Sequence, residues 1–197
     1  MAGFALRAVV GLGNPGADYA RTRHNMGFLF ADRLAAAMGA AFRAEKKFHG
    51  ELARGTLAGT ELLVLKPDTF MNSSGDAVQP LLAFYKITPQ ELLVVHDDLD
   101  LPIGSARLKM AGGHGGHNGL RSIHQHIGEN YARLRIGIAH PVQRAQVINY
   151  VLGRPNATEQ QALDAALDAG LAALETLLAR GWDRATQQLH TAVSANA

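Results

Sequence analysis

Apolar residues run from Phe4 to Val10 with only Arg7 interrupting them, the pattern of a buried strand. A glycine turn follows. Phe28, Ala31, Leu34 and Met38 then recur at helical spacing, predicting a helix from about Asn25 to Met38 that Gly39 ends. Phe48 to Leu57 and Glu61 to Leu65 read as two strands joined near Gly59, with Pro67 breaking the second. Val78, Leu81, Leu82 and Tyr85 share one face of a helix starting at Gly75 or Asp76. Glu91 to Val95 is a short buried strand, and Asp97 to Gly116 a long glycine-rich connection. Asn118 to Ile127 predicts a helix, Arg133 to Ile138 a strand, and Gln143 to Leu152 a short helix. Thr158 and Gln161 have capping-box spacing. Leu163, Leu167, Leu171, Leu174 and Leu178 then form the stripe of a C-terminal helix over about 158–180, ended by Gly181.

Strands alternating with helices imply an α/β fold. The expectation is a single domain spanning residues 1–197, with a twisted, mixed but mostly parallel sheet flanked by helices on both faces and the C-terminal helix packed on it. One antiparallel pair, from Phe48 to Leu65, makes the sheet mixed. In open α/β sheets ligands bind beyond the carboxyl ends of the strands. Asn14 follows the first strand, Asp68, Met71 and Asn72 the one ending at Leu65, and His96, Asp97 and Asp98 the one ending at Val95. If those strands are parallel, three polar clusters land on one edge.

Composition narrows the chemistry. A chain of 197 residues can bury a sizeable core, and 47% apolar residues suits a globular protein. The absence of cysteine removes disulfides, cysteine nucleophiles and zinc–thiolate sites. The net charge of +2 permits a polyanionic partner without requiring one. No apolar run approaches the roughly 18 residues of a membrane span, and Arg7 inside the first run is unlike a signal peptide. A cytoplasmic location is the expectation by elimination.

Gly11-Leu12-Gly13-Asn14-Pro15-Gly16 fits G-x-G-x-x-G, a weak dinucleotide signal alone. Pro15-Gly16 reads as a turn rather than a helix start. The second strand with an acidic end about 20 residues on is missing. A tight turn that aims Asn14 fits better. His24, at a helix start, is a candidate general base. The helix terminus disfavours its imidazolium, and a nearby carboxylate, with Asp97 first in line, favours it. Alternation turns Asp98 away from Asp97. Among nine histidines, His96, Asp97 and His114, or His114 and His117, could ligate a metal. The glycine loop carrying the last two lacks the rigid helix of an H-E-x-x-H site. Ser73 and Ser74 start a helix and read as caps, and no G-x-S-x-G elbow exists. Water activated by histidine is therefore favoured over an acyl-enzyme. Gly112 to Gly119 reads as a mobile lid whose amides and Asn118 meet a polar ligand. Arg107, Lys109, Arg121, Arg133 and Arg135 cluster around it, with no acidic residue from Ile103 to Ile127, favouring a phosphate-bearing ligand.

Five blocks taken together resemble bacterial-type peptidyl-tRNA hydrolases: Gly11 to Gly16, Thr22-Arg23-His24-Asn25, Thr69 to Gly75, His96 to Pro102 and Gly112 to Gly119. The resemblance implies hydrolysis of the ester joining a peptide to the terminal ribose of tRNA, recycling tRNA dropped by ribosomes. It implies a cytoplasmic, usually monomeric enzyme with no metal or other cofactor. By the family pattern His24 is the base and Asp97 the carboxylate that holds it. Asn14 helps discriminate N-blocked from free aminoacyl-tRNA. Tyr19, Phe70, Met71, Asn72 and Asn118 face substrate, and Lys109 and Arg135 grip tRNA phosphate. A non-catalytic nucleotide- or RNA-binding module is the competing reading.

Overall fold

The computed structural model describes residues 4–194, with the side chains of residues 193 and 194 left aside. Seven strands form one sheet: β1 (Ala8–Gly11), β2 (Arg43–Glu45), β3 (Gly50–Leu57), β4 (Thr60–Pro67), β5 (Leu92–Asp98), β6 (Ala106–Met110) and β7 (Ala132–Gly137). Their order across the sheet is β2-β3-β4-β1-β5-β7-β6. The central β4, β1, β5 and β7 are parallel, and antiparallel pairing joins β2 to β3, β3 to β4 and β6 to β7. The sheet is thus mixed and mostly parallel by strand direction, with more antiparallel pairing than the single hairpin expected.

Helices cover both faces. On one, α1 (Met26–Ala37), α5 (Ala157–Arg180) and α6 (Trp182–Ser194) bury Phe30, Leu34, Leu167, Leu174 and Trp182 against Val9, Val95 and Ile136. On the other, α2 (Gly75–Tyr85) and α3 (Asn118–Ile127) bury Val78, Leu81, Leu120 and Ile123 against Val10, Leu65 and Val94. The short α4 (Val147–Val151) stands beside the cavity described below. Among the described residues, no helix is long and apolar enough to cross a membrane.

Several elements depart from the pattern-based expectation. β6 lies inside the connection read as structureless. It is an edge strand whose Arg107 and Lys109 alternate with a half-buried Leu108, so it shows no apolar run; charge on an edge strand guards against further pairing. β5 runs three residues past Val95, so His96, Asp97 and Asp98 belong to the strand instead of following it. Pairing with Arg135, Ile136 and Gly137 of β7 holds them there. The cap of α5 is Asn156, whose side chain accepts from the Glu159 amide at 2.9 Å, not Thr158. Beyond Gly181 the chain continues as α6, which seats Trp182 edge-on against Phe4 at 5.3 Å.

The first glycines serve helix packing. A Cβ on Gly11 would lie 2.1 Å from the Gly27 carbonyl oxygen, and one on Gly27 2.3 Å from the Leu12 nitrogen and 2.4 Å from the Val95 oxygen. Helix α1 therefore crosses β1 and β5 in backbone contact, which brings the turn before it down onto the strand ends.

Candidate active site

That turn, Arg23–Asn25, carries His24. It is fixed from outside: the Arg23 amide donates to the Gly153 carbonyl at 3.0 Å. The Arg23 guanidinium lies 4.1 Å from the Tyr150 ring centroid, donates to the Tyr150 carbonyl at 3.0 Å and pairs with Glu159 at 2.8 Å. From the end of β5 the buried Asp97 faces it, and His24 Nδ1 sits 3.0 and 2.9 Å from the two carboxylate oxygens. A carboxylate accepts only, so Nδ1 carries the proton and Nε2 is the bare base. His24 lines a cavity of about 380 Å³, and its Nε2 has no protein partner among the described residues.

A second imidazole completes the group. His117 caps α3: its Nδ1 accepts from the Gly119 and Leu120 amides at 3.1 and 3.3 Å. Its Nε2 therefore carries the proton, which it donates to Asp97 at 2.9 Å. Burial opposes a charge on His24, yet the Asp97 charge and hydrogen bond together outweigh it and raise the imidazole above 6.5. Burial likewise opposes charge on Asp97, but the two imidazoles hold it well below the usual carboxylate range.

His24, Asp97 and His117 are also the one metal-capable cluster among the described residues. The donor set does not fit. Binding through His117 Nε2 would require the ring proton on Nδ1, where it would oppose two amide donors. The trio His96, Asp97 and His114 does not assemble. His96 donates through Nδ1 to the Asp97 carbonyl at 2.7 Å, and burial, then His117, keeps it neutral.

The amide side chains gather as expected. Asn14 Oδ1 accepts from the Met71 amide at 2.7 Å, leaving the side-chain NH₂ without a protein partner among the described residues. Asn25 grips the Asn14 backbone at both ends, accepting from its N–H and donating to its carbonyl, each at 2.9 Å. Asn72, Met71, Phe70 and Asn118 line the cavity with Asn14. Tyr19 does not line it; it meets the exposed Phe70 edge-on at 6.4 Å.

The basic cluster divides. Lys109 and Arg135 reach the cavity, and Arg135 Nε donates to Asp98 at 2.6 Å, leaving its two terminal nitrogens for a ligand. Arg107 turns away to the Leu189 carbonyl at 3.3 Å. Arg133 also borders the cavity but is only 2% exposed, and both its terminal nitrogens donate to protein acceptors.

The sequence profile of the family described as Peptidyl-tRNA hydrolase matches residues 8–196. The chain belongs to that family. A peptidyl-tRNA hydrolase of Neisseria meningitidis serogroup C is 50% identical over 187 residues, covering 94% of this chain and 97% of the relative. One from Azoarcus sp. is 52% identical over 185 residues, covering 93% of this chain and 84% of the relative. Among solved structures, the peptidyl-tRNA hydrolase of Acinetobacter baumannii superposes with a TM-score of 0.90 at 46% identity, covering 93% of this chain and 94% of that one.

Within this peptidyl-tRNA hydrolase fold, two residues of the site escaped the sequence reading. In the sequence His117 reads as a metal ligand or lid residue, although its place just before Asn118-Gly119 at a helix start is a cap signal. Asn25 sat beside His24 in the same block, but nothing in the spacing pointed it at the Asn14 backbone.

Proposed function

We propose that this chain hydrolyses the ester between a peptide, or an N-blocked aminoacyl group, and the terminal ribose of tRNA. The observation that carries the reading is the 2.9 Å contact of His24 Nδ1 with Asp97, which leaves Nε2 bare beside a cavity lined by amide side chains. Water donates to Nε2 and loses its proton there as its oxygen bonds to the ester carbonyl carbon. The tetrahedral intermediate expels the ribose oxygen, which takes the proton back from the imidazolium. Asp97 keeps the proton on Nδ1 and stabilises the imidazolium.

The NH₂ of Asn14 and the amides of Asn72 and Asn118 are suited to peptide groups, since an amide offers both donor and acceptor. Asp97 is committed to two imidazoles and is not offered to a free ammonium. Lys109 and the outer face of Arg135 meet phosphate. The test is incubation with N-acetyl-aminoacyl-tRNA and with free aminoacyl-tRNA, each with and without chelator. Release of only the acetylated amino acid, undiminished by chelator, is expected. Equal release of both, or none of either, overturns the reading.

A further inference from the structure

Arg133 is the second residue of β7, 2% exposed, and makes no salt bridge among the described residues. A buried cation is unfavourable unless hydrogen bonds replace its water. Here the glycine-rich loop supplies two of them and His124 and Glu129 the others, while Nε has no partner among the described residues. One terminal nitrogen donates to the Gly113 carbonyl at 2.6 Å. The other donates to the Gly112 carbonyl, to His124 Nε2 at 3.0 Å and to the Glu129 carbonyl at 3.4 Å. A planar fork that meets two successive carbonyls fixes the peptide plane between them, which a lysine ammonium cannot do.

The loop needs such a fixture. Ala111, Gly112, Gly115 and Gly116 all have positive φ, and a Cβ on Gly113 or Gly116 would meet nothing within 4 Å. The chain enters from β6 at Ala111, whose N–H donates to the Tyr131 carbonyl at 3.0 Å. It leaves at His117, which reaches Asp97, and Asn118, which lines the cavity. Between those ends Arg133 is the side chain that holds the loop from the sheet.

We propose that Arg133 is a positioning residue for the proposed hydrolysis: by clamping Gly112 and Gly113 it sets where Asn118 meets substrate. The inference rests on that reading of the site. Arg133→Lys keeps the charge and loses the fork, and Arg133→Ala leaves a guanidinium-sized space. In both, amide hydrogen exchange over residues 112–117 rises while exchange in β1 and β5 stays as in the parent. The kcat/KM for N-acetyl-phenylalanyl-tRNA falls about 10–100-fold, as expected when a binding group is displaced by about 1 Å. The loss falls on KM more than on kcat, because His24 and Asp97 stand on other elements. Millimolar guanidinium restores Arg133→Ala, and equal ammonium does not. Unchanged loop exchange overturns the proposal, as does unchanged kcat/KM with a loosened loop, rescue by ammonium, or loss of the fold in both variants. If the parent enzyme leaves every peptidyl-tRNA intact, the functional reading fails, while the exchange measurement still decides whether Arg133 holds the loop.

Discussion

At the residue scale, one carboxylate is shared by two imidazoles that do different work. Asp97 raises His24 and fixes its proton on Nδ1, while His117 binds the same carboxylate with a tautomer set by the helix it caps. A base with a raised pKa is inactivated as pH falls through that value, so the acid limb of the activity profile should lie above that of an ordinary histidine. Replacing Asp97 by Asn removes the charge that raises the imidazole, keeps at most a neutral acceptor for Nδ1, and leaves the burial that lowers it. The acid limb of the kcat profile should therefore move to lower pH, with a smaller loss of rate than removal of His24 causes. A limb that stays in place would take Asp97 out of this role. The pairing of His24 with a carboxylate was legible in the sequence because the helix start after β1 and the carboxyl end of β5 fall on one edge of the sheet. The second imidazole was not, because its contact depends on where a glycine-rich loop comes down.

At the element scale, two devices set the site. The first is the α1 crossing at Gly11 and Gly27, where G-x-G looked like a phosphate loop and serves as a packing notch. Gly27→Ala drives a methyl into the Leu12 and Val95 backbones. It should destabilise the fold by about 1–3 kcal/mol, the usual scale for overpacking, and lower kcat by shifting His24; an unchanged Tm would contradict this. The second device is the α3 cap. His117→Asn keeps an acceptor for the helix amides and loses the reach to Asp97, whereas His117→Ala loses both. The Ala variant should be less stable than the Asn variant by about 0.5–2 kcal/mol, measured by urea unfolding, with both slower than the parent. Equal stabilities would mean that the cap contributes nothing. Helix periodicity placed α1, α2, α3 and α5 within a residue or so of their ends. It missed β6 and the tail of β5, whose polar residues are held by pairing with β7 and leave no hydrophobic period to read.

At the scale of the whole molecule, the parallel core explains why Asn14, Met71 and Asp97 meet at one edge, while the loop after the antiparallel β6 brings Asn118 there. The ends of β4, β1 and β5 stand side by side. That convergence followed from strand order alone, but the fate of each cation did not: burial, which alternation left open for Arg133, decides which ones face a ligand. Arg107 and Arg133 are held by backbone carbonyls and Arg121 is exposed outside the cavity lining, so under the proposed function Lys109 and Arg135 are the cations that the cavity wall offers to tRNA phosphate. Lys109→Ala should weaken binding about equally across tRNA species and reduce the slope of log K against log salt by about 1; an unchanged slope would remove Lys109 from the interface. The most direct test of His24 as the base is single-turnover cleavage of N-acetyl-aminoacyl-tRNA by the His24→Ala variant, checked for an intact fold. The expected rate is about 10²–10⁴-fold below the parent, the range for a lost general base. A rate within a few-fold of the parent would contradict that role.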